Sequence, residues 1–335
     1  MTIDIPTLVA LVVARAKTDK TEPDPKNPRI GWRTDQILGD IHVLMCYAQN
    51  DPAGYAQIGR QVLAEVQSLP EMAALARLAI FRGERLLPPS EDRKRALLEM
   101  ARELKYFIET LPSGERVNRC LSLLEYHTGV FLNDYGCFVE AAAVELQSAE
   151  IAGKAGNVSE KAISLFVATV YELKDALCSG STDRIETSFA ELELEYPRLV
   201  TALKGTALEV SWGEANAPMH LFEACVWLDK DIPEMDTWAV TILSAAEKLG
   251  EAWKGIADFV RAVQLHRGGQ AGAEGILLAL AANSKEKEEL KASALLVLAR
   301  RAKNGGDADG SRGFIQQMPK TGTQHIRAVA VRLFA

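Results

Sequence analysis

The chain has 335 residues, 48% of them hydrophobic and 25% charged, which is the balance of a folded protein and not of a disordered one. A net charge of −7 argues against a general affinity for nucleic acid, and the longest early apolar run, Leu8 to Ala14, is too short to cross a bilayer. Five scattered cysteines (Cys46, Cys120, Cys137, Cys178, Cys225), odd in number and never spaced Cys-x-x-Cys, suggest buried free thiols and neither a disulfide framework nor a zinc site.

Nearly every segment reads as an amphipathic helix, with apolar residues recurring at three and four. A helix is expected over residues 1–17. Asp4 stands where a secretory signal would be basic, so a cytoplasmic protein is expected. Pro23, Pro25 and Pro28 then mark an extended loop over 18–31, readable as an arm or as a tether. Helix starts are predicted at Thr34-Asp35, at Ser90, at Ser159-Glu160 and at Asp236, where a capping side chain or a carboxylate meets the positive end of the helix dipole. After Ser90, Leu97, Met100, Leu104 and Ile108 form one apolar stripe, and Pro112 to Gly114 end the helix. "FAELELEY" alternates like a strand, yet Ile185, Phe189, Leu192 and Tyr196 also fall at helical spacing. Helix is the better reading because Ser181 and Thr182 supply a cap, and "TALEVSW" is the single candidate for a partner strand.

Near the C-terminus one phrase occurs twice. Gly-Gly at Gly268 returns at Gly305, a shift of 37 positions that also places Ala257 on Ala294, Phe259 on Leu296, Val260 on Val297 and Ala262 on Ala299. Two helices around a glycine turn would form each unit, over 253–282 and 290–318. Such units cannot bury their apolar faces alone and must stack.

The stretch "TGVFLNDYGCFVEAAAVELQSAEIAGKAGN" resembles a tetratricopeptide repeat. Gly129 sits at the close-packing position of a first helix, Leu132 replaces the usual tyrosine, and Gly136 and Phe138 fall at the turn and the start of a second helix. Ala141 stands where the two helices cross, whereas Leu146 and Ala149 fit only after a one-residue slip. The early tryptophan and the closing proline of the family are missing. The resemblance implies a curved scaffold that holds a peptide or another protein on its concave face, by analogy alone.

Reactive constellations are scarce. There is no Gly-x-x-x-x-Gly-Lys-Ser/Thr, no Gly-x-Ser-x-Gly and no His-Glu-x-x-His. The glycine turns lack a preceding strand and read as helix C-caps. His220 and Glu223 lie one helical turn apart, but Glu-x-x-His, which di-iron bundles need twice, does not occur. No catalytic residue, metal or cofactor is expected.

Charge is distributed unevenly. Residues 181–260 carry 6 basic and 15 acidic side chains, whereas residues 290–335 carry 8 basic and 2 acidic ones. The acidic window also holds Trp212, Trp227, Trp238 and Trp253, which read as core packing or as aromatic anchors lining a groove. In the basic end, Arg300, Arg301 and Lys303 read as dipole-compensating charges, with Arg312, Lys320, Arg327 and Arg332 extending the patch.

The expected fold is all-α, a right-handed superhelical stack of antiparallel helix hairpins continuous over 32–335, with a subdivision weighed near 205–216. The expected function is a non-catalytic protein-binding or regulatory scaffold, with Arg300, Arg301, Lys303, Arg312, Trp227 and Trp238 as partner-binding candidates. The partner would be another protein or peptide, or a second copy of the chain. Nucleic acid is the weakest option, and no membrane is involved. Because the last segment, "QHIRAVAVRLFA", has no polar capping helix, its apolar face should be covered by a partner, a second copy or a following domain. The alternative is an all-helical enzyme or small-ligand sensor whose pocket is built from Tyr126, His127, Asp134 and the tryptophan cluster.

Overall fold

The computed structural model describes residues 9–10, 13–14, 52–87 and 89–333. Val9, Ala10, Val13 and Ala14 are helical; the rest of the 1–17 helix, the proline-rich loop, the Thr34-Asp35 start and Cys46 lie outside the described residues. Among the described residues every regular element is a helix. The helices are α1 (Pro52–Val66), α2 (Pro70–Arg85), α3 (Glu91–Glu109), α4 (Glu115–Asp134), α5 (Phe138–Lys154), α6 (Val158–Ser179) and α7 (Thr182–Leu203). A π-helical segment (Glu209–Asn216) leads into α8 (Ala217–Leu228), followed by α9 (Glu234–Leu249), α10 (Lys254–Arg267) and α11 (Ala273–Ala282). Then come α12 (Glu288–Asn304), α13 (Ala308–Gln317) and α14 (Gln324–Arg332). None of the described helices is long and apolar enough to cross a membrane.

The chain divides into two compact units: one of residues up to Phe131 together with Glu150–Gly156, the other of Leu132–Ala149 and everything from Asn157 onward. In the first unit α2 packs on both α1 and α3. The crossing of α1 and α2 depends on Gly59, because a Cβ there would lie 2.7 Å from the Ile80 side chain, closer than atoms can approach. Ser90 caps α3 by accepting from the Arg93 N–H, as its position in the sequence predicts, and Leu97, Leu104 and Ile108 of the expected stripe are buried.

In the second unit most helices pack on the helix that follows them in the chain. α6 packs on α7, α8 on α9, α9 on α10, α10 on α11, α11 on α12 and α12 on α13. α7 is helical as expected, with the Ser181 hydroxyl accepting from the Arg184 N–H at its start. The candidate strand "TALEVSW" leads instead into the π-helical segment, whose wide turn ends with the Ala217 N–H bonded to the Trp212 carbonyl five residues back. Two predicted helix starts shift. The cap before Ser159-Glu160 is Asn157, whose side chain accepts from the Glu160 N–H, because Gly156 in a left-handed conformation sets the turn one residue earlier. The helix assigned to Asp236 begins at Glu234, after Pro233, with Asp236 inside its first turn.

Helix termination repeats. At the ends of α4, α8, α10 and α12 a left-handed residue (Gly136, Asp229, Gly269, Gly306) is followed by an N–H that reaches back five residues. The bonds are Cys137 to Leu132, Lys230 to Cys225, Gln270 to Leu265 and Asp307 to Ala302, each 2.8–2.9 Å long. This is the Schellman motif, which satisfies carbonyls that a helix end would otherwise leave open. The α10 and α12 versions match bond for bond at the shift of 37, and Ala257, Phe259, Val260 and Ala262 are buried, as are Ala294, Leu296, Val297 and Ala299.

The last helix does not face outward. α14 packs on α6, α8 and α12, burying His325, Ile326, Val329 and Ala330. The cover expected from a partner or a further domain is supplied by the same unit. The basic end is used in the same closure. Arg300 donates to the carbonyls of Val226 and Trp227 in the last turn of α8, and Arg332 donates to Leu177 in the last turn of α6 at 2.9 Å. Arg327 donates to Met318 just past α13 at 3.0 Å, and Lys303 donates to Leu333 just past α14. Four of the eight basic residues thus neutralise the negative ends of helices.

Candidate functional site

Where α6, α8, α12 and α14 meet, the second unit buries a set of polar groups. Lys174 lies at position 174 of an α6 stripe that also contains Val167, Val170, Tyr171 and Leu177, all buried. That stripe carries the ammonium inside, leaving the side chain 1% exposed. Its Nζ lies 2.7 Å from Glu289 Oε1 and donates to Asn133 Oδ1 at 2.9 Å. The rings of Tyr171, Trp227 and Phe138 surround it at 5.7, 5.8 and 6.0 Å from their centroids, close enough for a weak cation–π contribution.

Glu289, at the start of α12, is shared. His325 Nε2 stands 3.2 Å from the same Oε1 that faces Lys174. The imidazole is fully buried, edge-on to Trp227 at 4.7 Å and to Phe138 at 5.3 Å. A second chain of polar contacts runs beside the first. The Trp227 indole N–H donates to Ser293 Oγ at 3.0 Å, and that hydroxyl reaches Glu223 Oε1 at 3.5 Å.

Electrostatics separate the two carboxylates. Burial and then the Glu289 charge push the Glu223 carboxyl well above the usual carboxylate range, so it is a neutral acid at neutral pH. Burial would raise Glu289 too, but Lys174 and His325 overcome it and hold that carboxyl far below the usual range. Burial, with Lys174 adding to it, lowers His220 to about 4. Burial likewise lowers His325 to about 4, against the opposing pull of Glu289. Both imidazoles are neutral at neutral pH.

The partner-binding candidates fall in several places. Trp227 is 1% exposed and joins the buried network through its indole N–H. Trp238 is buried edge-on to Tyr196 at 6.4 Å. Arg300 is buried under the end of α8, and Lys303 donates to the Leu333 carbonyl. Arg301 and Arg312 lie on the surface, facing Glu274 at 3.5 Å and Asp309 at 3.0 Å. Of the residues considered for a pocket, Tyr126 and His127 belong to the first unit, whereas Asp134, Trp212, Trp227, Trp238 and Trp253 belong to the second. No group of three or more histidine, cysteine, aspartate or glutamate side chains among the described residues could hold a metal ion.

Lys174, Glu289, Ser293, Asn133 and His325 were not among the residues singled out from the sequence. The signal for Lys174 and His325 was a charged or titratable side chain in phase with an apolar helical stripe. No protein-family model matches this chain, and no curated protein matches it.

Proposed function

We propose that the chain is a non-catalytic binding module built on a helical-repeat framework, a divergent relative of the tetratricopeptide solenoids, and that it holds another protein or peptide on its outer helix faces. The observation that supports this reading most is the pair α10–α11 and α12–α13, which share one turn geometry and one set of buried positions at a fixed shift of 37 residues. Stacked helical pairs present extended preformed surfaces, and a preformed surface binds without the cost of ordering itself. The docking face would include Arg301 and Arg312, whose side chains are 46% and 61% exposed, and not the interior Trp227, Trp238 and Arg300.

One observation favours the second reading, a small-ligand sensor or enzyme: four titratable groups with displaced protonation equilibria converge in one unit. The two carboxylates, however, are met by neighbouring side chains, while His220 Nδ1 and the His325 ring nitrogens have no hydrogen-bond partner. Lys174 faces Asn133 and Glu289, Glu223 faces Ser293, and Glu289 keeps 23% of its side chain exposed. That is the arrangement of a polar core, so the binding module is the stronger reading.

The test is cross-linking mass spectrometry on the full chain in its native lysate, compared with the double variant Arg301→Glu, Arg312→Glu after its fold has been checked by circular dichroism. The reading expects one protein cross-linked to a contiguous set of surface side chains and lost from the folded double variant. Cross-links scattered over the surface, or unchanged in the variant, would overturn that docking face. A chain that stays monomeric and gains thermal stability from a small-molecule fraction of the lysate would move the function to the second reading.

A further inference from the structure

We infer that α14 is an acid-released latch: taking up a proton at His325 detaches this helix from α6, α8 and α12 while the remainder of the second unit stays folded. The latch does not depend on what the chain binds.

The geometry carries the argument. α14 is held at its first turn by His325 and at its last turn by Arg332, whose guanidinium bonds the Leu177 carbonyl of α6. Its start also sits against the α4–α5 turn, where Gly322 lies so close to the Asp134 carbonyl that an added Cβ would come within 3.0 Å of it. The imidazole has no exposed surface and faces a carboxylate oxygen already claimed by Lys174. Neutral His325 suits this place, with Nε2 3.2 Å from Glu289 Oε1 but in no hydrogen bond with it. The other ring nitrogen, Nδ1, has no hydrogen-bond partner either, and the imidazole is flanked by the rings of Phe138 and Trp227. A second proton would therefore create a buried N–H with no acceptor and a second cation beside Lys174, both of which are strongly unfavourable away from water.

The surrounding charges keep this sign. α6 contributes Lys174, which opposes a further positive charge. α12 contributes Glu289, which favours one but is shared with Lys174. From α8, Glu223 is held neutral and His220 stays unprotonated in the same pH range. On α13, Arg312 and Asp309 pair with each other at 3.0 Å. On α14 itself, Arg327 and Arg332 are bonded to the carbonyls of Met318 and Leu177. Released to water, His325 regains its ordinary affinity for protons, so acid favours the detached state. Detachment uncovers Ile326, Val329 and Ala330 and the helix surfaces beneath them.

Hydrogen exchange by mass spectrometry on the full chain, corrected for the intrinsic pH dependence of exchange, reads the latch directly. With His325 shifting from about 4 when buried to 6.5 when free, opening of the α14 peptide should rise about thirtyfold between pH 7.5 and pH 5. The α7 peptide, which does not belong to the latch, should stay protected. In His325→Phe, a ring that fits among Phe138 and Trp227 but takes no proton, the rise should vanish. In His220→Phe it should persist, because His220 is on α8 and is not part of the α14 helix that detaches. If α14 and α7 lose protection together, the event is global unfolding and the latch is overturned. It is also overturned if α14 exchange is independent of pH in the native chain, or if His325→Phe keeps the full rise.

Discussion

Arg300 Nη2 donates to the backbone carbonyl of Trp227 at 2.7 Å across 73 residues of sequence, and Nη1 of the same guanidinium reaches the neighbouring Val226 carbonyl. One planar fork therefore closes the C-terminal end of α8, where the carbonyls have no partners within the helix. Asp229 at 3.7 Å contributes little, since its own side chain is 76% exposed. Arg300→Ala should cost about 2–3 kcal/mol, two charge-assisted bonds to buried carbonyls. Arg300→Lys should recover only a minor part, because a point charge cannot bond both carbonyls. Arg301→Ala, next in the chain but surface-paired, should change stability by less than about 0.5 kcal/mol. Urea unfolding of the three variants, with the slope held common, decides the order.

Asp229 is the non-glycine among the four Schellman turns, with φ of 58°, and its N–H to the Val226 carbonyl is stretched to 3.4 Å. A side chain in the left-handed region costs energy that glycine avoids. Asp229→Gly should therefore stabilise the protein by roughly 0.5–1 kcal/mol, and Gly306→Ala should destabilise it by about the same amount. Calorimetry on both variants checks the pair. A fall in melting temperature for Asp229→Gly would mean that the Arg300 contact outweighs the backbone strain.

Local features were legible in the sequence, because they depend on residues a few positions apart. Ser90 and Ser181 cap the helices they precede, and the Gly-Gly turns end helices at Gly268 and Gly305 as their spacing implies. Asn157 and Ser159 are both competent caps, so composition alone could not choose between them; the left-handed Gly156 does. The basic end looked like a patch because its acceptors are carbonyls 9 to 155 residues away, invisible to any local pattern. Trp227 and Glu223 were noticed, but separately, since Ser293 joins them across 66 and 70 residues. What the sequence carried without its being read was the phase of Lys174 within an apolar stripe.

Lys174→Met should be the most damaging single change in the polar core, at about 2–4 kcal/mol, because it leaves the partly buried Glu289 carboxylate without its main cation. Lys174→Met combined with Glu289→Leu should recover most of that loss, since an apolar pair of similar volume removes both desolvation costs. The double-mutant cycle measures the coupling directly. If the double variant is as unstable as the sum of the singles, the two side chains act independently and their 2.7 Å approach is energetically idle.

Stability should depend on pH in two opposed ways. His220 and His325 are lowered from 6.5 to about 4 in the folded chain. Their contribution is complete above 6.5 and is lost as pH falls, because the unfolded chain takes up protons first. Glu223 is raised above 4.5, so its contribution is complete below 4.5 and is lost as pH rises toward its folded value. Within this buried network two histidines oppose one glutamate between 4.5 and 6.5, and its contribution should climb with pH; above 6.5 Glu223 is the network's one titrating group, and the contribution should decline. Urea midpoints from pH 4 to pH 9 should therefore pass through a maximum near 6.5. Glu223→Gln should flatten the alkaline side and steepen the acid side, whereas His220→Phe with His325→Phe should reverse the acid side, leaving stability to fall with pH from 4.5 upward. A maximum that moves in neither variant would place the responsible groups outside this network.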